Sequence, residues 1–144
     1  MRLVVDTSVL VGELLRGQGR RRLADENLAL FLPERMWGEL QVELPRRIRA
    51  FVRRRDLELS IGDDLSGLCL AAVEANVAVV DVAVYAALED EARARSLRDP
   101  DDWPVVATAL ALSAAVWTND NDFLGTGVAT WTTPTLHAWL DRHP

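Results

Sequence analysis

The sequence predicts an α/β fold, a three-layer α/β/α sandwich around a central, mainly parallel sheet of four to five strands. Three observations support this class: short apolar runs alternate with helical patterns, the runs are apolar throughout, and no repeat or Pro/Gly-rich linker divides the chain. Continuous apolar runs are typical of strands that are covered on both faces, so helices are expected on each side of the sheet. We expect a single domain over residues 1–144.

Each strand is predicted from an apolar run that stops at a turn-forming or helix-starting residue. The first run stops at Asp6, the second at Pro33, and a later one at the segment Thr118-Asn119-Asp120. The predicted strands cover residues 3–5, 28–32, 77–80, 115–117 and 128–131.

Apolar residues at helical spacing predict the helices between these strands. Pro45 interrupts the longest of these patterns. Because proline is favoured in the first turn of a helix, we expect one helix to end before Pro45 and another to begin there. The predicted helices cover residues 9–15, 36–44, 45–55, 67–75, 82–96, 103–113 and 135–140.

Composition limits the classes of function. The formal net charge is −6 and all sixteen basic residues are arginine, an unpromising balance for a general nucleic-acid binder. No apolar stretch reaches the roughly 20 residues of a membrane span, and Asp6 comes too early for a secretory signal. The only cysteine, Cys69, lies among apolar residues and is expected to be a buried thiol. We therefore expect a cytoplasmic protein without a membrane partner.

Four carboxylates are predicted to meet at one edge of the sheet. Asp6 and Asp120 each follow a strand, Asp102 begins the helix before the Asp120 strand, and Glu39 lies about two turns into the helix after the second strand. Ligands of parallel sheets bind beyond the carboxyl ends of the strands. Each acid alone also has a structural interpretation, as an N-cap, a turn residue or a solvated helix position.

Taken together, the four acids indicate a metal site. Crowded carboxylates repel one another and gain affinity for protons, unless a cation neutralises them. Hard oxygen ligands favour Mg²⁺ or Mn²⁺, which activate water and bind phosphate. His137 and His143 lie far along the chain from the acids, which argues against a histidine-based nuclease. Ser8 stands where an Asp-x-Asp motif would have its second acid, which argues against a phosphoaspartate hydrolase.

The acids lie in four segments whose order and spacing are informative. The segments are Leu3-Val4-Val5-Asp6-Thr7-Ser8-Val9-Leu10, Leu30-Phe31-Leu32 with Met36-Trp37-Gly38-Glu39-Leu40, Arg98-Asp99-Pro100-Asp101-Asp102-Trp103-Pro104-Val105-Val106-Ala107, and Trp117-Thr118-Asn119-Asp120-Asn121-Asp122-Phe123. They resemble the four motifs of the PIN domain family, the nuclease fold of VapC-type toxins and related ribonucleases. The resemblance covers nearly the whole length of the chain.

This resemblance implies a metal-dependent endoribonuclease that hydrolyses RNA phosphodiester bonds with Mg²⁺ or Mn²⁺. Its catalytic and metal-binding roles fall on Asp6, Glu39, Asp102 and Asp120. Asp122 matches a more variable extra acid, while Ser8 and Thr118 match hydroxyl positions that support the acids. Two positions have rivals nearby: Glu43 lies one turn after Glu39, and Asp99 and Asp101 precede Asp102.

The segment after Pro45 carries a group of arginines that suits either RNA or a protein partner. The candidates are Arg46, Arg47, Arg49, Arg53 and Arg54. They are interpreted as a groove that guides RNA, as a solvated face paired with nearby acids, or as a docking surface for an acidic peptide. The resemblance implies an antitoxin as that partner, if the chain is the toxin of a pair, and it also implies a homodimer. The alternative is a catalytically inactive PIN-like module that binds RNA or a partner.

Overall fold

A five-stranded sheet, parallel throughout, forms the centre of the computed structural model, which describes residues 1–143. Its strands are β1 (Arg2–Val5), β2 (Ala29–Pro33), β3 (Val77–Val80), β4 (Ala115–Trp117) and β5 (Thr130–Trp131). They lie in the order β3-β2-β1-β4-β5, so that β1 is central and pairs with both β2 and β4. The predicted parallel sheet is confirmed.

Eight α-helices and three short 3₁₀ turns connect the strands within the described residues. The helices are α1 (Thr7–Leu14), α2 (Gly17–Leu23), α3 (Glu34–Arg54), α4 (Leu59–Asn76), α5 (Val82–Tyr85), α6 (Glu89–Arg95), α7 (Trp103–Leu112) and α8 (Thr133–Leu140). The 3₁₀ turns cover Ala86–Leu88, Pro100–Asp102 and Asn121–Phe123.

Alternate residues of β1 show that the sheet is covered on both faces. Leu3 and Val5 belong to a core cluster with α1, α2, α3, α4 and α8, whereas Val4 belongs to a second cluster with α5, α6 and α7. All three side chains are fully buried. This arrangement confirms the three-layer sandwich and explains why the strand is apolar at every position.

The prediction of two helices meeting at Pro45 is wrong, because α3 runs without a break from Glu34 to Arg54 with Pro45 inside it. A proline in a helix interior removes one hydrogen bond and costs about 3 kcal/mol. Leu40, Leu44, Ile48 and Val52 are buried at four-residue spacing on either side of it. This continuous apolar face outweighs the local cost, which sequence punctuation alone does not reveal.

Three further differences concern local helix structure. Helix α2 was not predicted from the sequence. Buried Gly19 and Leu23 pack it against α1. The helix predicted over 82–96 is instead divided into α5, a 3₁₀ turn and α6. The helix predicted over 67–75 begins earlier, at Leu59.

The expectation of a buried thiol at Cys69 agrees with the structure. Cys69 is buried, its thiol donates a hydrogen bond to the Leu14 carbonyl oxygen at 3.3 Å, and burial raises the pKa of the thiol. Trp103 and Trp117 are almost fully buried. None of the helices in residues 1–143 combines the length and apolar character needed to span a membrane.

Candidate active site

The candidate site lies at the carboxyl ends of β1 and β4, which are adjacent in the sheet. Val5 and Trp117 are register partners, and the Asp6 N–H donates to the Trp117 carbonyl oxygen at 3.0 Å. Each strand therefore delivers its next residues to the same edge, Asp6 from β1 and Thr118 from β4.

Two hydroxyl groups hold the Asp6 carboxylate. Ser8 Oγ donates to Asp6 Oδ2 at 2.8 Å, and Thr118 Oγ1 donates to the same oxygen at 2.9 Å. Asp6 also caps α1 through a longer contact of 3.4 Å from the Ser8 N–H to Oδ1. The carboxylate is thus fixed on one oxygen, while the other is only weakly engaged.

Asp120 and Asp122 continue this chain of hydrogen bonds. The Asp120 N–H donates to Thr118 Oγ1 at 2.9 Å, and the Asp122 N–H donates to Asp120 Oδ1 at 2.9 Å. Thr118 therefore links Asp6 to the loop that carries Asp120 and Asp122. Asp120 also has the structural role of a turn residue, which was one interpretation of its position in the sequence.

Asp102 lies in the electrostatic field of these acids. Burial raises the pKa of its carboxyl from 3.8 to about 7, and the negative charges of four carboxylates add to the effect. In order of size, those neighbours are Asp99, Asp6, Asp120 and Asp122. Asp102 precedes α7 without making a capping hydrogen bond, so helix capping does not explain its side chain.

Glu39 lies at the margin of the site. Thr7 Oγ1 donates to Glu39 Oε2 at 3.2 Å, which ties the second turn of α3 to the first residue of α1. Its rival Glu43 instead pairs with Arg46 at 3.3 Å and with Arg47 at 3.6 Å. Both glutamates line a common cavity next to Ser8.

The two rivals of Asp102 differ in position. Asp99 accepts a hydrogen bond from the Asp101 N–H at 3.0 Å and is the carboxylate with the largest charge effect on Asp102. Asp101 is almost fully exposed and points to Arg93, 3.6 Å away. Asp101 is therefore directed away from the other acids, whereas Asp99 remains beside them.

The donor chemistry of this edge suits a hard divalent cation. It consists of carboxylate oxygens supported by hydroxyl groups. A cation would relieve the repulsion among the carboxylates, which adds to the effect of burial on the pKa of Asp102. Within residues 1–143, no three His, Cys, Asp or Glu side chains are already gathered closely enough to form a ligand set. The residues at this edge therefore fit a divalent cation by donor type and charge, although their carboxylates are not close enough together to form a ligand set.

The arginines of α3 that were candidates for binding RNA or a partner do not all line the same cavity. Arg49 and Arg53 line a cavity of about 580 Å³ between α3 and α4, together with Ile48 and the highly exposed Leu59. Arg54 lines a different cavity on the Leu15 side. Within the predicted group, only Arg47 reaches the cavity beside the acids, among the cavities found in residues 1–143.

Two residues of this edge were not singled out from the sequence. Thr7 holds Glu39, and Arg98 lies 3.5 Å from Asp122 Oδ1 while donating to the Asn121 carbonyl oxygen at 3.3 Å. Both lie within the four quoted segments. The spacing that selected the acids does not select these two residues. A cationic side chain beside a cluster of acids in the sequence is, however, a signal that could have identified Arg98.

Comparison with known proteins agrees with this architecture. The model of the PIN domain family matches residues 4–141, and the chain belongs to that family. A crystal structure of FitAcB from Neisseria gonorrhoeae is similar in fold, with a TM-score of 0.56 and 21% identity, over 91% of this chain and 96% of that one. A structure of FitAB bound to an IR36 DNA fragment has a TM-score of 0.53 and 20% identity, over 92% and 94%. No curated protein sequence matches the chain significantly.

Proposed function

We propose that this protein is a metal-dependent endoribonuclease that hydrolyses RNA phosphodiester bonds with Mg²⁺ or Mn²⁺. The observation that carries the proposal is the meeting of Asp6 and the Asp120 loop at the carboxyl edge of β1 and β4, where Thr118 hydrogen-bonds to both. Beside them, burial and the charges of neighbouring carboxylates raise the pKa of Asp102. Membership of the PIN domain family supports the class of reaction.

In this proposal Asp6, Asp102 and Asp120 hold the ion, and Glu39 contacts it directly or through water. Ser8 and Thr118 hold Asp6 through Oδ2, which would leave the less engaged Oδ1 available as a ligand. Asp122 adds negative charge and fixes the Asp120 loop. When bound, the ion supplies an activated water and neutralises the phosphate oxygens of the scissile bond.

The test is cleavage of a single-stranded RNA by the full chain with Mn²⁺. Asp6→Asn and Asp120→Asn are expected to lower the rate by about 100-fold or more, because each removes a charged ligand. Asp64→Asn, on the exposed surface of α4, is the matched control and keeps the rate. Equal cleavage by the wild type and both site variants would identify a contaminating nuclease and reject the proposal.

A second candidate is a non-catalytic module that binds RNA or a partner. The spread of the acids, which do not form a ligand set within residues 1–143, favours this candidate. Calorimetric titration with Mn²⁺ separates the two. The nuclease binds the ion at a site that Asp6→Asn abolishes, whereas the module gives no heat of specific binding.

We also propose an antitoxin partner of acidic character and a homodimeric assembly. The apolar cavity between α3 and α4, with Arg49 and Arg53 at its side, supports an acidic partner. Co-expression with the product of an adjacent small reading frame is expected to give a stable complex that does not cleave RNA. Light scattering of the protein alone tests the dimer, and a monomeric mass would reject it.

A further inference from the structure

A small cavity opens beside the acids, between the start of α1 and the middle of α3. Its volume is about 180 Å³, and its lining residues are Thr7, Ser8, Val11, Glu39, Glu43 and Arg47. It adjoins the candidate site directly, because Ser8 on its wall donates to Asp6 Oδ2 at 2.8 Å. A group bound there would lie next to whatever the acids act on.

The lining combines three kinds of polar group with one apolar side chain. Glu43 is half-buried and offers carboxylate oxygens, Ser8 offers a hydroxyl, and Arg47 offers a guanidinium. A sugar hydroxyl is both a donor and an acceptor, so it can donate to a carboxylate. Val11 supplies an apolar contact for sugar carbons. The volume is smaller than the roughly 300 Å³ and above of pockets that hold whole ligands, so a sugar fits better than a complete nucleotide.

Two arginines offset the charge of Glu43 at this cavity. Arg46 and Arg47 both lie within pairing distance of Glu43, at 3.3 and 3.6 Å, and compensate its negative charge. The Arg47 side chain is 62% exposed, so its guanidinium has donors left for a second partner. Arginine binds phosphate oxygens readily through such donors.

We propose that this cavity receives the ribose next to the cleaved bond. Glu43 accepts a hydrogen bond from its 2′-hydroxyl, and Arg47 contacts the adjoining phosphate. The inference rests on the proposed nuclease function and extends it: Glu43 and Arg47 become the residues that select RNA over DNA, separate from the acids that hold the metal. Glu43 is thereby a specificity residue and not a substitute for Glu39.

The test measures binding without cleavage. In the Asp120→Asn background, the full chain is titrated with a fluorescent RNA oligonucleotide and with the same sequence as DNA containing uracil. RNA is expected to bind about tenfold more tightly, the effect of one hydrogen bond to a charged group. Glu43→Ala abolishes this preference, because RNA loses its 2′-hydroxyl contact while the arginines freed from Glu43 affect both ligands alike. Arg47→Gln weakens both ligands. Glu74→Ala and Arg21→Gln, on exposed surfaces of α4 and α2, are the matched controls.

A scan of single 2′-deoxy substitutions in the RNA sharpens the test. One deoxy position beside the cleavage point is expected to cost about tenfold in affinity in the Asp120→Asn protein and nothing after Glu43→Ala. An unchanged RNA-to-DNA ratio in a folded Glu43→Ala protein would overturn the inference. Cleavage is measured separately. A preference for RNA over DNA without cleavage rejects only the nuclease proposal. Cleavage together with an RNA-to-DNA affinity ratio that Glu43→Ala does not change rejects only the ribose cavity.

Discussion

Thr118 Oγ1 donates a hydrogen bond to Asp6 Oδ2 at 2.9 Å and accepts one from the Asp120 N–H at the same distance. One buried hydroxyl thus joins two acids that are more than a hundred residues apart in sequence. It fixes the position of the Asp6 carboxylate relative to the Asp120 loop.

Replacing this hydroxyl is expected to impair the site with little change in the fold. Thr118→Val keeps the shape of the side chain but leaves the Asp120 N–H without its acceptor and Asp6 without one donor. Residues that orient ligands typically contribute about 10- to 100-fold to activity, so kcat/KM for RNA cleavage should fall by that factor. Thr118→Ser restores the hydroxyl and most of the rate. If Thr118→Val cleaves RNA as fast as Thr118→Ser, this bond has no role in positioning Asp6.

The pH dependence of stability should carry the signature of Asp102. The pKa of the Asp102 carboxyl is about 7 in the folded protein and 3.8 in the unfolded chain. Between these two pH values the folded protein therefore binds one proton more than the unfolded chain. This contribution to stability is complete below about pH 3.8 and is lost as the pH rises through 7. Asp102→Asn should therefore unfold with a free energy about 1 to 2 kcal/mol higher than wild type at pH 8, after allowance for solvent screening.

Urea denaturation at pH 5 and pH 8, with a chelator present, measures this effect. The quantity to compare is the difference between Asp102→Asn and wild type at each pH, because groups remote from Asp102 titrate equally in both proteins. Asp64→Asn serves as the control for loss of an exposed charge. The same difference at both values of pH would contradict a perturbed Asp102.

Divalent metal should stabilise the protein through the same acids. Binding to the folded state alone raises the free energy of unfolding by about 2.7 kcal/mol at a metal concentration of 100 times Kd. Thermal unfolding with Mn²⁺ should show this rise for wild type and for Asp64→Asn. Removal of the ion by a chelator should reverse it. A shift of equal size in Asp6→Asn would show that the ion binds elsewhere.

Gly19 provides a stability test remote from the acids. A Cβ at this position would overlap the main chain of Glu13, which packs α2 closely against α1. Gly19→Ala is expected to destabilise the protein by about 1 to 3 kcal/mol through overpacking. Gly67→Ala, in α4 with open space around it, should instead stabilise by roughly 0.5 to 1 kcal/mol through helix propensity. Chemical denaturation of the two variants checks the opposite signs.

Most of the fold could be predicted from the sequence because its signals are local. The runs over 77–80 and 115–117 became β3 and β4 with the predicted bounds, since each is a short apolar run between helical segments. Helix α3 could not be predicted as one element, because the tertiary contacts of Leu44 and Ile48 outweigh the local effect of Pro45. Helix α2 likewise depends on packing against α1.

The candidate site was predictable in position but not in detail. Strand ends placed Asp6 and Asp120 at one edge, and the structure brings both there through Thr118. The distribution of arginines was not predictable in the same way. Whether Arg47 or Arg53 faces the acids depends on the rotation of α3 against α1 and α4, which no motif encodes.

The central place of β1 in the sheet has a consequence for the order in which the protein is made. Asp6 is synthesised first, yet its partner strand β4 and the Asp120 loop come more than a hundred residues later. A ribosome-bound chain that ends at Ser113 would carry Asp6, Glu39 and Asp102 without the strand that brings them together. Under the proposed function, the site is therefore complete only after β4 and the Asp120 loop have left the ribosome and paired with β1.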